Sequence, residues 1–299
     1  MGHVVAMLRF ASGPETLRLG DLEVRRLGFG AMRLPGPEVW GEPGDPAAVH
    51  AVLHRAIELG INLIDTAWYY GPHVANRLIA ETLHPYPSDL VIATKLGGRR
   101  LPDKSWVPYI RPEELRAGAE EDLRSLRLEQ LPVVHLRWID QPDVAFPEAL
   151  DAMIALQREG MIRHLALSNV NVEQLELALT RTPIVAVQNL FNVGGGGGPI
   201  PVADRPEAVL AACEARGIAF LPVFPLAIGT LTAASGALAA AARRHNCTAA
   251  QLAIAWLLAR SPVMLPIPGT SKVAHLEDNV GAVHVVLDAT TVNELAPNR

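Results

Sequence analysis

Ile61-Asn-Leu-Ile-Asp65-Thr-Ala-Trp68-Tyr-Tyr70-Gly71, followed about one supersecondary unit later by Val91-Ile-Ala-Thr-Lys95, decides how the whole chain reads. Each segment is an apolar, β-like run that ends in a titratable side chain, so an acid, a phenol and an amine emerge where strands stop and loops begin. α/β enzymes keep their chemistry at such strand ends. A lysine closing a buried strand is costly unless a carboxylate pairs with it, and Asp65, closing the preceding strand, supplies one. On local features alone the pair is either a structural bridge with Tyr70 as a pocket wall, or a device in which Lys95 draws the phenol pKa down from about 10 so that Tyr70 serves as a general acid near neutrality.

Outward from this stretch, short apolar runs alternate with longer helical patterns. Strands are expected at Leu27–Ala31, Asn62–Asp65, Leu90–Lys95, Leu131–Leu136, His164–Ser168, Val185–Asn189, Ala219–Pro222 and Val263–Ile267. Helices are expected near Pro46–Leu59, Val74–Leu83, Pro112–Ser125, Pro147–Glu159, Val172–Thr180, Arg205–Arg216, an Ala-rich stretch ending at Arg260, and Val273–Ala282, several of them opening on proline as first helical turns do. Eight strands, each followed by a helix, predict a (β/α)8 TIM barrel with its site at the C-terminal strand ends. Thr16–Arg25 alternates apolar and polar residues around a Gly-Asp turn and predicts an N-terminal β-hairpin. An open doubly wound sheet is the competing architecture, but it usually carries GxGxxG after its first strand, and none occurs. No linker-like break interrupts the pattern, so residues 1–299 read as a single domain.

Composition narrows the function classes. With 49% hydrophobic and 19% charged residues and a net charge of −5, the chain reads as globular, with no electrostatic footprint for nucleic acid or anionic membrane. The run Val4–Leu8 is too short for a secretory core and lacks a basic lead, which gives a cytoplasmic expectation. Cys213 and Cys247 stand alone in helix-like stretches and read as buried thiols; no Cys/His spacing suggests a metal. The glycine run Gly194–Gly198 falls after the sixth strand and reads either as a mobile lid or as a connector.

In their order, these motifs resemble those of the aldo-keto reductases, and the resemblance extends from Leu27-Gly-Phe-Gly-Ala31 to Asn279. Asp65-Thr-Ala-Trp-Tyr-Tyr70-Gly resembles the family's DTAxxYG, which carries its catalytic aspartate and tyrosine, and Ala93-Thr-Lys95 its catalytic lysine. The resemblance implies a (β/α)8 barrel that transfers a hydride between NADPH and a small aldehyde or ketone, with NADH as the less favoured cofactor. It implies that Ser168, Asn169 and Gln188 bond the nicotinamide carboxamide, and that Phe224, in the Phe224-Pro225-Leu226 turn where the family usually has tyrosine, lies against the ring. It places Gly30, Ala31 and Met32, the loop Pro268-Gly269-Thr270-Ser271-Lys272, and His275, Asp278 and Asn279 around the remainder of the cofactor, with Lys272 toward a 2′-phosphate. A loop entering a helix there offers backbone amides to phosphate.

One position departs from the family. Ungapped alignment of Leu126–Arg137 on a DLYLLH-like motif puts Arg137 where many members have a fourth catalytic residue, a histidine; His135 falls two residues earlier, on the same face and one layer deeper. Arg137 cannot shuttle protons but can orient a carbonyl oxygen or grip an anionic substituent. Trp68, Trp106 and Trp138, near the loops after strands two to four, read as walls of an aromatic substrate pocket or as rim packing. Stretches such as Tyr70-Gly-Pro-His73 and Val134-His-Leu-Arg137 resemble a bacterial branch that includes pyridoxal reductases. The expected function is NADPH-dependent carbonyl reduction by Asp65, Tyr70, Lys95 and Arg137; the competing reading is a nicotinamide-nucleotide-binding regulator with little turnover.

Overall fold

The computed structural model of the protein describes residues 8, 10–11, 13–193, 206–226 and 236–296. The Gly194–Gly198 run lies outside the described residues.

The chain opens with an antiparallel hairpin, β1 (Thr16–Leu19) and β2 (Leu22–Arg25), turned at Gly20-Asp21. Seven parallel strands follow: β3 (Phe29–Gly30), β4 (Leu63–Asp65), β5 (Val91–Arg100), β7 (Leu131–Arg137), β8 (Ile162–Ser168), β9 (Ile184–Leu190) and β10 (Ala219–Val223). A further strand, β6 (Trp106–Tyr109), folds back antiparallel on the distal half of β5. The expected eighth barrel strand, Val263–Ile267, is extended but carries a sparse ladder. The Phe220 amide donates to Val263 O at 2.8 Å, the Leu265 amide to Phe220 O at 2.8 Å, and on the other edge the Gly28 amide donates to Pro266 O at 2.9 Å and Gly30 to Pro268 O at 3.3 Å. Pro266 and Pro268 have no N–H to return, so on the β3 edge the bonds run in one direction only. The segment nevertheless bridges β10 to β3 and closes the (β/α)8 barrel.

Helices α1 (Pro46–Glu58), α2 (Val74–Leu83), α3 (Pro112–Leu126), α4 (Phe146–Arg158), α5 (Val172–Leu179), α6 (Pro206–Arg216), α7 (Ala237–Arg244), α8 (Ala249–Arg260), α9 (Val273–Gly281) and α10 (Ala289–Glu294) complete the order. Local chemistry fixes their starts. Asp45 accepts the Ala48 amide at 3.0 Å ahead of Pro46, and capping boxes Asn171/Gln174 and Thr248/Gln251 open α5 and α8. The Ala-rich stretch read as one helical region is two helices, because Asn246 takes a left-handed φ of 50° and Thr248 restarts the helix. The β6 hairpin and α10 were not expected.

Two cores result. The larger lies between strands and helices and takes Leu53, Leu78, Leu115, Ile154, Leu175 and Leu257. The smaller fills the barrel: Leu63, Val91, Ala93, Val133, Ala166, Ala186, Ala219, Leu221 and Leu265, joined by Leu19 and Val24 of the hairpin. The hairpin therefore stoppers the N-terminal end. Asp21 in its turn accepts from Arg163 and contacts His164 Nε2 at 2.6 Å, fastening it to the base of β8. Arg26, fully buried, donates to Met264 O, Leu258 O and Ser261 O and pins the hairpin's exit against the closing segment.

Candidate active site

Side chains on a strand alternate, so the residue two places beyond each apolar barrel-filling position faces the same interior nearer the C-terminal mouth. Leu63 leads to Asp65, Ala93 to Lys95, Val133 to His135, Ala166 to Ser168 and Ala186 to Gln188. The interior thus turns from hydrocarbon to polar within one layer. Lys95 Nζ donates to Asp65 Oδ1 at 2.5 Å and to Thr66 O at 2.9 Å, and Gln188 Nε2 reaches across the barrel to Asp65 Oδ2 at 2.8 Å. Both carboxylate oxygens are engaged, as a buried ion pair requires.

Tyr70 stands at the end of the turn that leaves β4, with Lys95 Nζ 5.1 Å from its ring centroid. Gly71 makes this turn possible: its φ is +85°, and a Cβ there would lie 2.7 Å from Val74 Cβ and 2.8 Å from Pro35 Cβ. The expectation that Lys95 lowers the Tyr70 pKa does not hold in this arrangement. Burial, first, and the Asp65 carboxylate, second, push the phenol above its ordinary value, with Arg137 opposing them. Lys95 spends its charge on Asp65, so the phenol stays protonated through neutral pH.

His135 pairs with Lys95 across the β5–β7 ladder and is fully buried. Its Nδ1 lies 3.3 Å from Thr94 O, its Nε2 has no partner, and burial pushes its pKa down to about 4, leaving a neutral imidazole. The ring does not hydrogen-bond Tyr70. Arg137 lies two residues farther out on β7 and is half-buried. Its carbonyl packs so tightly on Gly97, at φ +111°, that a Cβ there would come within 2.3 Å of it. The guanidinium sits 5.7 Å from the Trp106 ring, and its Nη1 is buried without a partner, as is the Tyr69 hydroxyl.

A cleft of about 450 Å³ runs from Asp65, Tyr70 and Gln188 past Phe224, Pro225 and Leu226 to the start of α9. Of the sequence-expected cofactor residues it also takes Gly30, Met32, Pro268, Gly269, Thr270, His275, Asp278 and Asn279. Ala31, Ser168, Asn169, Ser271 and Lys272 do not line it. Ala31 and Ser168 are buried nearby, Asn169 spends its amide on Trp138 O at 2.9 Å, and Ser271 and Lys272 are exposed at the entrance to α9. Sequence reading missed Arg33 and the start of α8, Thr248 to Ala250, which face the cleft. Thr248 Oγ1 donates to Asp278 Oδ2 at 2.9 Å and ties the start of α8 to the second half of α9 at this end. The Thr-x-x-Gln capping box before an apolar run was the available signal.

The tryptophans divide. Trp106 is 38% exposed and stacks edge-on against Tyr69 at 5.8 Å, while Trp68 packs on Tyr69 and Tyr109 at 5.9 and 5.8 Å, so both border the same side of the mouth. Trp138 turns toward Phe146 and donates its indole N–H to Asp140 at 2.5 Å. Beneath the Asp65–Lys95 pair lies a buried polar chain that was not read from the sequence: Thr66 Oγ1 donates to Asn76 at 2.8 Å, Asn76 Nδ2 to Asp122 at 2.6 Å, and Thr94 Oγ1 to the other Asp122 oxygen at 2.8 Å. It ties the residues adjoining Asp65 and Lys95 through α2 and α3. Burial pushes Asp122 up to about 7. Among the described residues no cluster of His, Cys, Asp or Glu could hold a metal, and no helix is long and apolar enough to cross a membrane.

Comparison with known proteins accords with this geometry. The chain is 43% identical over 285 residues to an uncharacterized oxidoreductase of Schizosaccharomyces pombe, covering 95% of this chain and 90% of the relative. It is 41% identical over 286 residues to pyridoxine 4-dehydrogenase of Escherichia coli, covering 94% and 96%. A crystal structure of an aldo-keto reductase from Klebsiella pneumoniae in complex with NADPH superposes with a TM-score of 0.75 at 24% identity, over 95% of this chain and 96% of that one, which is a likeness of fold. The aldo/keto reductase family model matches residues 26–297, from the hairpin's last bond to the end of the barrel, and with the oxidoreductase relatives it establishes that this oxidoreductase belongs to the aldo/keto reductase family.

Proposed function

We propose that the protein reduces an aldehyde or ketone to an alcohol with NADPH, Tyr70 giving the proton. The observation that carries this reading is the buried Lys95–Asp65 pair beneath a protonated Tyr70 at the end of a long cleft. The cleft fits a dinucleotide. It is apolar along Phe224, Pro225 and Leu226, where a flat ring can lie, and it ends at the start of α8 and the loop that enters α9, where amide groups favour phosphate. Gln188 would hold the carboxamide, and Gly269 with Thr270 would hold phosphate. Reduced nicotinamide supplies the hydride. Tyr70 would give its O–H proton to the carbonyl oxygen as that hydride reached the carbonyl carbon, so that the alcohol forms.

The residues divide that task. Arg137 offsets the phenolate charge that Tyr70 acquires, and Asp65 holds Lys95 in place beneath the Tyr70 ring. Raising the phenol pKa keeps the donor loaded at neutral pH but makes the phenolate costly, so transfer needs a positive charge close by. The Escherichia coli relative makes pyridoxal a natural member of the first substrate panel. The test is NADPH consumption across aldehydes and ketones including pyridoxal, with NADH in parallel. Turnover that is faster with NADPH, and abolished in Tyr70→Phe, is expected. Tight NADPH binding with no turnover on any carbonyl would favour a regulatory role.

A further inference from the structure

We propose that the substrate carries an anionic oxyacid group, a carboxylate or a phosphate, gripped by Arg137 with the Tyr69 hydroxyl beside it; the inference rests on the carbonyl-reductase reading above. A guanidinium nitrogen taken out of water without a hydrogen bond is expensive, and the fold satisfies its other buried arginines. Arg26 donates to the carbonyls of Pro14, Leu258, Ser261 and Met264, and Arg100 donates to Glu38 O at 3.1 Å, Val39 O at 3.2 Å and Lys104 O at 3.1 Å. Arg137 Nη1 has no such partner; Arg25 Nε also lacks one, but it is Arg137 that has beside it the only phenol oxygen buried without a partner among the described residues, that of Tyr69. A Cβ on Gly98 would stand 2.9 Å from Arg137 Nη1 and 3.4 Å from Tyr69 Cζ, so one glycine leaves room for both groups at one place.

Among the described residues no carboxylate forms an ion pair with Arg137, and Asp65, the acid at the barrel mouth, is engaged by Lys95 and Gln188. The Arg137 guanidinium lies 5.7 Å from the centroid of the Trp106 ring. The Tyr69 ring meets that of Tyr70 edge-on at 5.4 Å, and Arg137 is close enough to act electrostatically on the Tyr70 phenol, which lines the cleft. An acid group held there would be close to the carbonyl that Tyr70 protonates. A planar fork suits an oxyacid, and a phenol O–H adds a second donor.

The test compares kcat/KM for 4-formylbenzoate and its methyl ester, which differ in charge at one group, with pyridoxal 5′-phosphate against pyridoxal as the phosphate arm. A preference of about ten- to a hundredfold for the anionic member of at least one pair is expected, as for a charge-assisted hydrogen bond. Arg137→Met should collapse that ratio toward one. Arg137→Lys, which keeps the charge and loses the fork, should leave a part of it, and Tyr69→Phe should lower it a few-fold. Binding of benzoate and of inorganic phosphate, followed by quenching of tryptophan fluorescence, gives a readout without turnover and should be lost in Arg137→Met. Equal kcat/KM within both pairs overturns the inference, as does a preference that survives Arg137→Met. Reduction of none of the four aldehydes, with benzoate or phosphate still bound through Arg137, would instead sink the carbonyl-reductase reading and leave the anion subsite standing.

Discussion

The two ends of the barrel interior are built from the same strands and obey opposite rules. At the hairpin end Leu63, Val91, Val133 and Leu265 meet Leu19 and Val24, and the space is filled with hydrocarbon. One layer toward the mouth the same strands present Asp65, Lys95, Ser168 and Gln188, all at least 95% buried. The lower end gains stability from packing that any well-fitting apolar set could provide. The upper end buries ions and an amide, which cost free energy and are tolerated because Lys95 and Gln188 both bond Asp65. A barrel thus keeps its foundation and its chemistry apart along a strand by a step of two residues.

Substitutions at each end should therefore fail in different ways. Tyr70→Phe is expected to lower turnover by about two to four powers of ten while NADPH affinity and melting temperature barely move; a variant that keeps wild-type turnover would locate the proton donor elsewhere. Leu63→Ala should do the reverse, costing about 2–5 kcal/mol in urea unfolding while the folded fraction keeps its kcat. Asp122 sharpens the contrast, since it lies under the polar end with a pKa raised to about 7. A carboxyl whose folded pKa is raised favours the folded state at low pH, and that contribution declines as pH rises from about 4 to about 7. The stability difference between wild type and Asp122→Asn should change across that window by up to a few kcal/mol, in the sense that wild type loses ground as pH rises; parallel pH profiles would count against a protonated Asp122. The smallest effect belongs to exposed Lys272, where replacement by alanine should weaken NADPH by about fivefold more than NADH in fluorescence titrations, because water screens the contact.

Legibility in the sequence followed the same division. Strand ends that carry an acid or amine after an apolar run stand out, so Asp65, Tyr70 and Lys95 were visible, and α2 began and ended where its pattern said. Residues whose role is set across the barrel were not. Asp122 and Asn76 sit on helices as ordinary polar residues, and only the docking of α2 against α3 makes them one bonded chain with Thr66 and Thr94. Strand β6 was missed because Trp106-Val-Pro-Tyr109 is short and holds a proline, and its pairing depends on β5 running on past Lys95. The lowered Tyr70 pKa was misjudged because a list of neighbouring charges says nothing of which charge is already spent, nor of how deeply the phenol is buried.

The proline-studded segment that closes the barrel has a bearing on how the chain survives before it is finished. Its partner strand β3 lies more than two hundred positions away in sequence, so loop-closure entropy sets this seam among the late contacts to form. Until then a nearly complete sheet exposes two edges, the kind of surface on which another chain can add a strand. Proline at 262, 266 and 268 withholds the donors such an intruder would need from one of them. The weakness of the seam's ladder is in this light a guard against aggregation, placed on the edge that waits longest for its own partner.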